Sequence, residues 1–436
     1  MLAVAVAYRL GHPQARAPTA GKAVPAGVVP VRIVQTARGY RLYRGGAAYF
    51  IRGGAGLQRF AELRAAGGNS VRLWSADYAD VLLDEAGQQG LTIMLGLWLQ
   101  TPQAGFDYYD RAAVRQQFVA LRQQVLRFRN HPALLMWNVG NELEAHNESP
   151  KVMLAVEEVA RMLHDLDPQH PVCTTSAGDL ERLAEVQQLC PDIDLLGVNT
   201  YSRLLTLGSD LRAHGWARPY VVTEYGPRGY WETTLTPWQA PLEQNSTDKA
   251  EFVRTRYERG IVADSAQCLG GYAFFWGQKS EKTPTWFSLF EPTGEKTGTV
   301  DVLQQLWKDQ APTIGPLRLA GRLDADSVRL PAGARYPAVV TAADPEQDAL
   351  SAKWEVRAET PPGMAPAILT TMAGPVPNAI EQAAGLEAQV RIPTAPGPYR
   401  LFVRVFDGHG SVATANLPFF AHPAPGPSRK LRRPPE

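Results

Sequence analysis

Two short stretches of the chain end in acidic side chains in a way that bears on chemistry. In Arg129-Asn130-His131-Pro132-Ala133-Leu134-Leu135-Met136-Trp137-Asn138-Val139-Gly140-Asn141-Glu142, an apolar run breaks off at Asn141 and Glu142. In Pro219-Tyr220-Val221-Val222-Thr223-Glu224-Tyr225-Gly226, a second run breaks off at Glu224. A lone glutamate at such a place is often a structural ion pair. Two in matching contexts favour chemistry, because one carboxyl can be protonated while the other is ionised. Paired carboxylates across a cleft are the apparatus of glycoside hydrolysis.

Elements must hold the pair, and the rhythm of the chain supplies them. Between about residues 31 and 308, short apolar runs alternate with longer amphipathic ones, the pattern of repeated strand-helix units. Strands are expected at 48–53, 70–74, 92–98, 134–140, 172–175, 195–199, 220–224 and 271–276. Helices are expected between them at 57–66, 78–89, 111–129, 151–166, 180–188 and 249–263. Eight such units predict an α/β fold, a (β/α)8 TIM barrel, with the site at the C-terminal ends of its strands. Strands four and seven then face each other across the mouth and carry Glu142 and Glu224. An open doubly wound sheet is disfavoured, because Gly53-Gly54-Ala55-Gly56 does not complete a dinucleotide-binding loop. Ahead of the barrel, 31–35 and 40–43 alternate in period two and run through Gly45-Gly46, a β-hairpin expected to plug the barrel floor. After Pro312-Thr313-Ile314-Gly315-Pro316 the periodicity shortens, with strands at 338–341, 353–357, 389–392, 399–406 and 412–419. These predict a C-terminal all-β immunoglobulin-like sandwich. The expected division is a leader over 1–30, a catalytic barrel over 31–311, the sandwich over 312–421 and a disordered basic, proline-rich tail over 422–436.

With these residues in view, the chain resembles the retaining glycoside hydrolases of the large (β/α)8 superfamily, in which Asn-Glu on strand four and Glu on strand seven are catalytic. His131-Pro132 through Asn141-Glu142 and Pro219 through Gly226 are particularly similar to the family 2 hydrolases, and the resemblance covers about residues 31–308. Arg72 at the end of strand two, Asn199 and Tyr201 after strand six and Trp276 at the end of strand eight match as well. The order of a barrel followed by one immunoglobulin-like module departs from family 2 and is more similar to bacterial endo-acting β-1,3-glucanases. The resemblance implies Glu142 as acid and base and Glu224 as nucleophile of a double displacement, with a carboxyl separation of about 5 to 5.5 Å. It also implies that Asn141 meets the sugar 2-hydroxyl. Arg72 and Tyr201 are expected to favour the charged form of Glu224.

Sugars offer apolar C–H faces and polar edges, so flat aromatic rings are expected near the pair. Trp74, Trp98 and Trp276 end strands, and Trp276, followed by Gln278, is the expected platform under the sugar being cleaved. Phe106, Tyr108, Tyr109, Tyr230, Trp231, Trp286 and Phe287 lie on the following loops and would line an extended cleft, whereas Asp107, Glu144 and Glu232 are expected to be surface charges. The expected function is therefore a retaining β-glycan hydrolase, endo-acting on a β-glucan with the β-1,3 linkage favoured. A transglycosidase or an exo-glycosidase would use the same carboxylates, and a non-catalytic carbohydrate-binding surface protein is the alternative of another class.

Composition narrows the partners. With 44 Lys and Arg against 43 Asp and Glu, the net charge is +1, too small to draw the chain to nucleic acid. The balance suits an uncharged oligo- or polysaccharide. No stretch reaches the roughly 18 apolar residues of a membrane span. Met1 to Leu10 with Ala15-Arg16-Ala17 suggests a degraded secretory signal, and an extracellular or periplasmic setting follows from the polymeric substrate. The chemistry needs no cofactor and no metal-ligand cluster is visible. Cys173, Cys190 and Cys268 are expected to be small buried residues, and Asp344, Glu346 and Asp348 a solvated turn rather than a calcium loop.

Overall fold

The computed structural model describes residues 25, 27–145, 149–309, 318–319, 328–359 and 372–423. The Pro312–Pro316 linker, residues 1–24 of the leader and 424–436 of the tail lie outside the described residues.

Eight parallel strands close into a barrel: β4 (Ile51–Ala55), β5 (Ser70–Leu73), β6 (Thr92–Leu97), β7 (Leu134–Asn141), β8 (Val172–Ser176), β9 (Leu195–Asn199), β10 (Tyr220–Tyr225) and β11 (Cys268–Phe274). Their near-continuous apolar runs are what a sheet covered on both faces requires. Met94, Met136, Cys173, Leu195, Val221, Leu269 and Tyr272 fill the interior. A second core, which includes Cys190 and Cys268, lies between the strands and the surrounding helices. All three thiols are buried. The helices follow from amphipathic spacing and local caps. Lys151–Leu166 turns Val152, Val156, Val159 and Leu163 inward, and Asp110 caps Arg111–Phe128 by accepting from the amides of Ala112 and Ala113.

The stretch ahead of the barrel folds as a three-stranded antiparallel meander, β1 (Val31–Thr36), β2 (Gly39–Arg44) and β3 (Ala47–Tyr49). Residues 48–53 are therefore two strands, one in the meander and one in the barrel, with the change at Phe50. The meander covers the barrel floor: the amides of Val31 and Tyr40 donate to the carbonyls of Gln169 and Ala266, just ahead of β8 and β11.

Beyond the barrel, Ser351–Ala358, Gly397–Phe406 and Ser411–His422 form an antiparallel sheet, and Arg335–Val339, Glu387–Arg391 and Ile380–Ala384 form another. Trp354, Val356, Val390, Leu401, Val403 and Phe419 share one core, so the two sheets make a sandwich. The short strand Lys296–Thr297, which leads into the last barrel helix (Gly298–Lys308), pairs in parallel with Ser411–Val412 of the sandwich. Arg400 is fully buried and donates to Glu359, to Asn416 and to the carbonyl of Pro241 in the loop after β10. Asp344 accepts from the amides of Glu346 and Asp348, closing a turn.

Candidate active site

The backbone at the end of β7 is bent to present its acid. Gly140 has φ +72° and Glu142 φ +54°, and pairing with β8 slips between Asn138 and Asn141, a bulge of the kind that re-aims a side chain. The Glu142 amide then donates to the carbonyl of Thr175 on β8. At the end of β10, Glu224 aligns with Asn199 of β9.

The two carboxyls have different surroundings. Glu224 is an acceptor at both oxygens: Oε1 takes Arg72 Nη1 at 2.5 Å and Trp74 Nε1 at 3.0 Å, and Oε2 takes the Tyr201 hydroxyl at 3.0 Å. Arg72 is wholly buried beneath the mouth, and its Nη2 donates to Asn141 Oδ1 at 2.5 Å. Among the described residues, the Glu142 carboxyl accepts one bond, from Asn199 Nδ2 at 2.7 Å. Asn199 is fixed in turn by the Thr223 hydroxyl. Burial first, and the charge of Glu224 second, push the Glu142 carboxyl up to about 7. Burial also raises the Tyr201 phenol well above its ordinary value, so that it remains a donor. The arrangement holds one carboxyl ready to give a proton and presents the other, gripped by three donors, to an electrophile.

The structure thus brings together Arg72, Trp74, Asn141, Glu142, Asn199, Tyr201 and Glu224. Asn141 Oδ1 is occupied by Arg72 and Asn199. Trp98 stands 41% exposed at the end of β6, and Gln278 is half-buried; neither hydrogen-bonds the carboxyls. Trp276 is not a platform. β11 ends at Phe274 and the chain turns outward, so Trp276 is 1% exposed, packed on Phe290 and Trp307, with its N–H on the carbonyl of Arg59. It fills space left open by Gly54, where a Cβ would lie 2.8 Å from the indole. Phe275 takes the inward place, stacked on Trp74 at 6.0 Å.

Of the loop aromatics, Trp286 and Phe287 are core and Tyr108 is buried. Trp231 is 56% exposed and meets Tyr201 edge-on at 5.4 Å. Glu144 is also corrected: it is buried and accepts from Ser176 Oγ and the Ala177 amide, a strut between the ends of β7 and β8. Glu232 likewise ties its loop by accepting from the Ser202 hydroxyl and the Gly229 amide. Two residues that sequence reasoning passed over lie on the far side of Phe274 and Tyr201 from Glu224. Lys279 Nζ lies 5.4 Å from the Phe274 ring and 3.2 Å from Glu281, and Phe274 abuts Tyr201. Their signal was a charged pair two residues apart just past a strand end.

Carboxyls at the ends of the fourth and seventh strands of a (β/α)8 barrel are an arrangement that glycoside hydrolysis can use. Residues 73–246 match the family model "Glycosyl hydrolases family 2, TIM barrel domain". Human β-glucuronidase is 25% identical over 186 residues, covering 39% of this chain and 27% of that one. The β-glucuronidase of Paenibacillus borealis is 25% identical over 195 residues, 39% of this chain and 31% of that one. The chain therefore matches about a third or less of the length of these curated relatives. Among solved structures, the β-D-glucuronidase of Dictyoglomus thermophilum superposes with a TM-score of 0.50 at 17% identity, over 65% of this chain and 54% of that one; this likeness is one of fold. Among the described residues no helix is long and apolar enough to cross a membrane.

Proposed function

We propose that this protein is a retaining β-glycosidase acting by double displacement. Glu142 gives its proton to the leaving glycosidic oxygen while Glu224 attacks the anomeric carbon, so that one C–O bond breaks as another forms. Water, deprotonated by Glu142, then displaces Glu224 and restores both groups. The observation that carries this reading is the unequal bonding of the two carboxyls: three donors on Glu224, one on a Glu142 that keeps its proton to about pH 7. Asn141 is assigned to the sugar 2-hydroxyl, and Trp74 and Phe275 to the wall behind the sugar.

A β-glucan cleaved internally is the finer assignment. Trp231 and Trp98 support it, since exposed indoles at a barrel mouth suit further sugar rings. The names of the relatives favour a second donor, a β-glucuronide. We also propose the division into a catalytic unit over 31–311 and a sandwich over 312–421 that braces its loops. The test is a panel of β-1,2-, β-1,3-, β-1,4- and β-1,6-glucans and aryl β-glycosides, with products followed by NMR. Initial release of the β-anomer is expected, and a first-formed α-anomer would overturn retention. Longer products in place of free sugar would indicate transfer to an acceptor rather than to water. No turnover of any β-glycoside would favour a binding protein.

A further inference from the structure

Resting on the hydrolytic reading, one feature of the site bears on which sugar it takes. The loop after β11 sets Lys279 and Glu281 against the aromatic cluster that carries the nucleophile: Lys279 lies over Phe274 and Phe275, and Phe274 packs on Tyr201, the hydroxyl of which holds Glu224. The pair is internal, Nζ to Oε2 at 3.2 Å, with Glu281 the more enclosed partner. The loop is rigid. The Lys279 amide and carbonyl both bond Ser288, and Thr283 and Thr285 anchor on Glu243, itself paired with buried Lys249.

Two of the described cations set about this cluster, Arg72 and Lys279, are thus already matched. Arg72 serves Glu224, Asn141 and the carbonyl of Thr223, and Lys279 serves Glu281. We infer that Lys279 and Glu281 are specificity-determining residues that fit the site to a neutral β-linked sugar, grip its hydroxyls as a donor-acceptor pair and reject a sugar bearing a carboxylate. A uronate would bring a further negative charge to Glu224 and Glu281 while Arg72 and Lys279 are already engaged. Burial raises the Glu281 carboxyl, Lys279 works against that rise, and the charge of Glu224 adds a smaller push in the same direction as burial. A neutral hexose instead offers hydroxyls that donate to Glu281 and accept from Lys279, leaving the pair intact. Selectivity would then be opposite to that in the names of the similar glucuronidases.

The experiment compares kcat/KM for 4-nitrophenyl β-D-glucoside and 4-nitrophenyl β-D-glucuronide in wild type, Glu281→Gln and Lys279→Met. Wild type is expected to prefer the glucoside by about tenfold or more, the scale of one misplaced like charge. Glu281→Gln, which frees Lys279, is expected to move the ratio toward the glucuronide by about tenfold, and Lys279→Met to move it the other way. Preference for the glucuronide in wild type, or an unchanged ratio in Glu281→Gln, overturns the inference while leaving hydrolysis standing. If neither compound is cleaved, the hydrolytic reading is decided by the glucan panel and falls only if that too gives no turnover. Titration calorimetry of wild type with glucose and glucuronic acid then decides selectivity: tighter glucose binding upholds it, and equal, reversed or absent binding overturns it.

Discussion

Glu142 and Glu224 are the same side chain given two characters by their neighbours. Glu142 keeps its proton to about pH 7 through enclosure and the nearby charge of Glu224, so kcat/KM on an aryl β-glycoside should decline above about pH 7 as the acid is lost. Glu142→Gly should lose about 10² to 10⁴ in rate with a poor leaving group, lose the alkaline limb, and regain rate with azide as a β-glycosyl azide. Linkage carries the same sign. The folded protein holds this proton above the ordinary carboxyl value of 4.5, so its contribution to stability falls as pH rises from there to about 7. Glu142→Gln should therefore melt higher than wild type at pH 8 in calorimetry. Arg72 is the reverse case, a buried cation whose removal strands Glu224. Arg72→Met should cost about 3 to 5 kcal/mol by denaturant titration and abolish turnover, and Arg72→Lys should not restore it. Arg72, Glu142, Asn199, Tyr201 and Glu224 were legible in the sequence because each ends or follows an apolar run, and the barrel brings such positions to one rim. The donor role of Trp74 was not, since it depends on a residue far away in the chain, and Lys279 and Glu281, though close in sequence, meet the aromatic cluster only through the fold.

At the scale of elements, the phase of one strand decides where the Trp276 ring packs. β11 closes two residues before Trp276, and the turn that follows sends that ring into the layer between barrel and helices, on Phe290 and Trp307. Trp276→Ala should cost about 3 to 5 kcal/mol of stability through the cavity it leaves. Trp231→Ala should leave the melting temperature nearly unchanged and raise KM for oligosaccharides more than for aryl glycosides. Chemical denaturation paired with kinetics on both substrate types separates the two. An apolar run shows that a strand exists, but its last residue is set by where the next loop finds space, here the room above Gly54. The split of 48–53 into β3 and β4 escaped the sequence for a similar reason, as an alternating stretch does not reveal which sheet it joins.

The molecule as a whole is bound together across the line between barrel and sandwich. Arg400 sits on a sandwich strand yet donates to the Pro241 carbonyl in the loop after β10, and Arg404 meets Glu291 in the loop after β11. The loops carrying Trp231 and Lys279 are therefore braced from the C-terminal side. Arg400→Met should lower the melting temperature, because Glu359 loses its buried partner, and should raise KM as the loop loosens, measurable by calorimetry and steady-state kinetics. Repeated strand-helix units followed by short strands made both parts legible from the sequence; the bracing was hidden, because long-range ion pairs leave no periodicity. The strand Lys296–Thr297 carries this furthest. Its Lys296 amide bonds Gly410 while its next residues open the last barrel helix, so a backbone ladder runs unbroken from one unit into the other. In amide exchange, that ladder should join the two units in a single foldon: the Lys296 amide is expected to open only when the sandwich sheet does, and the last helix of the barrel to inherit the protection of a domain to which it does not belong.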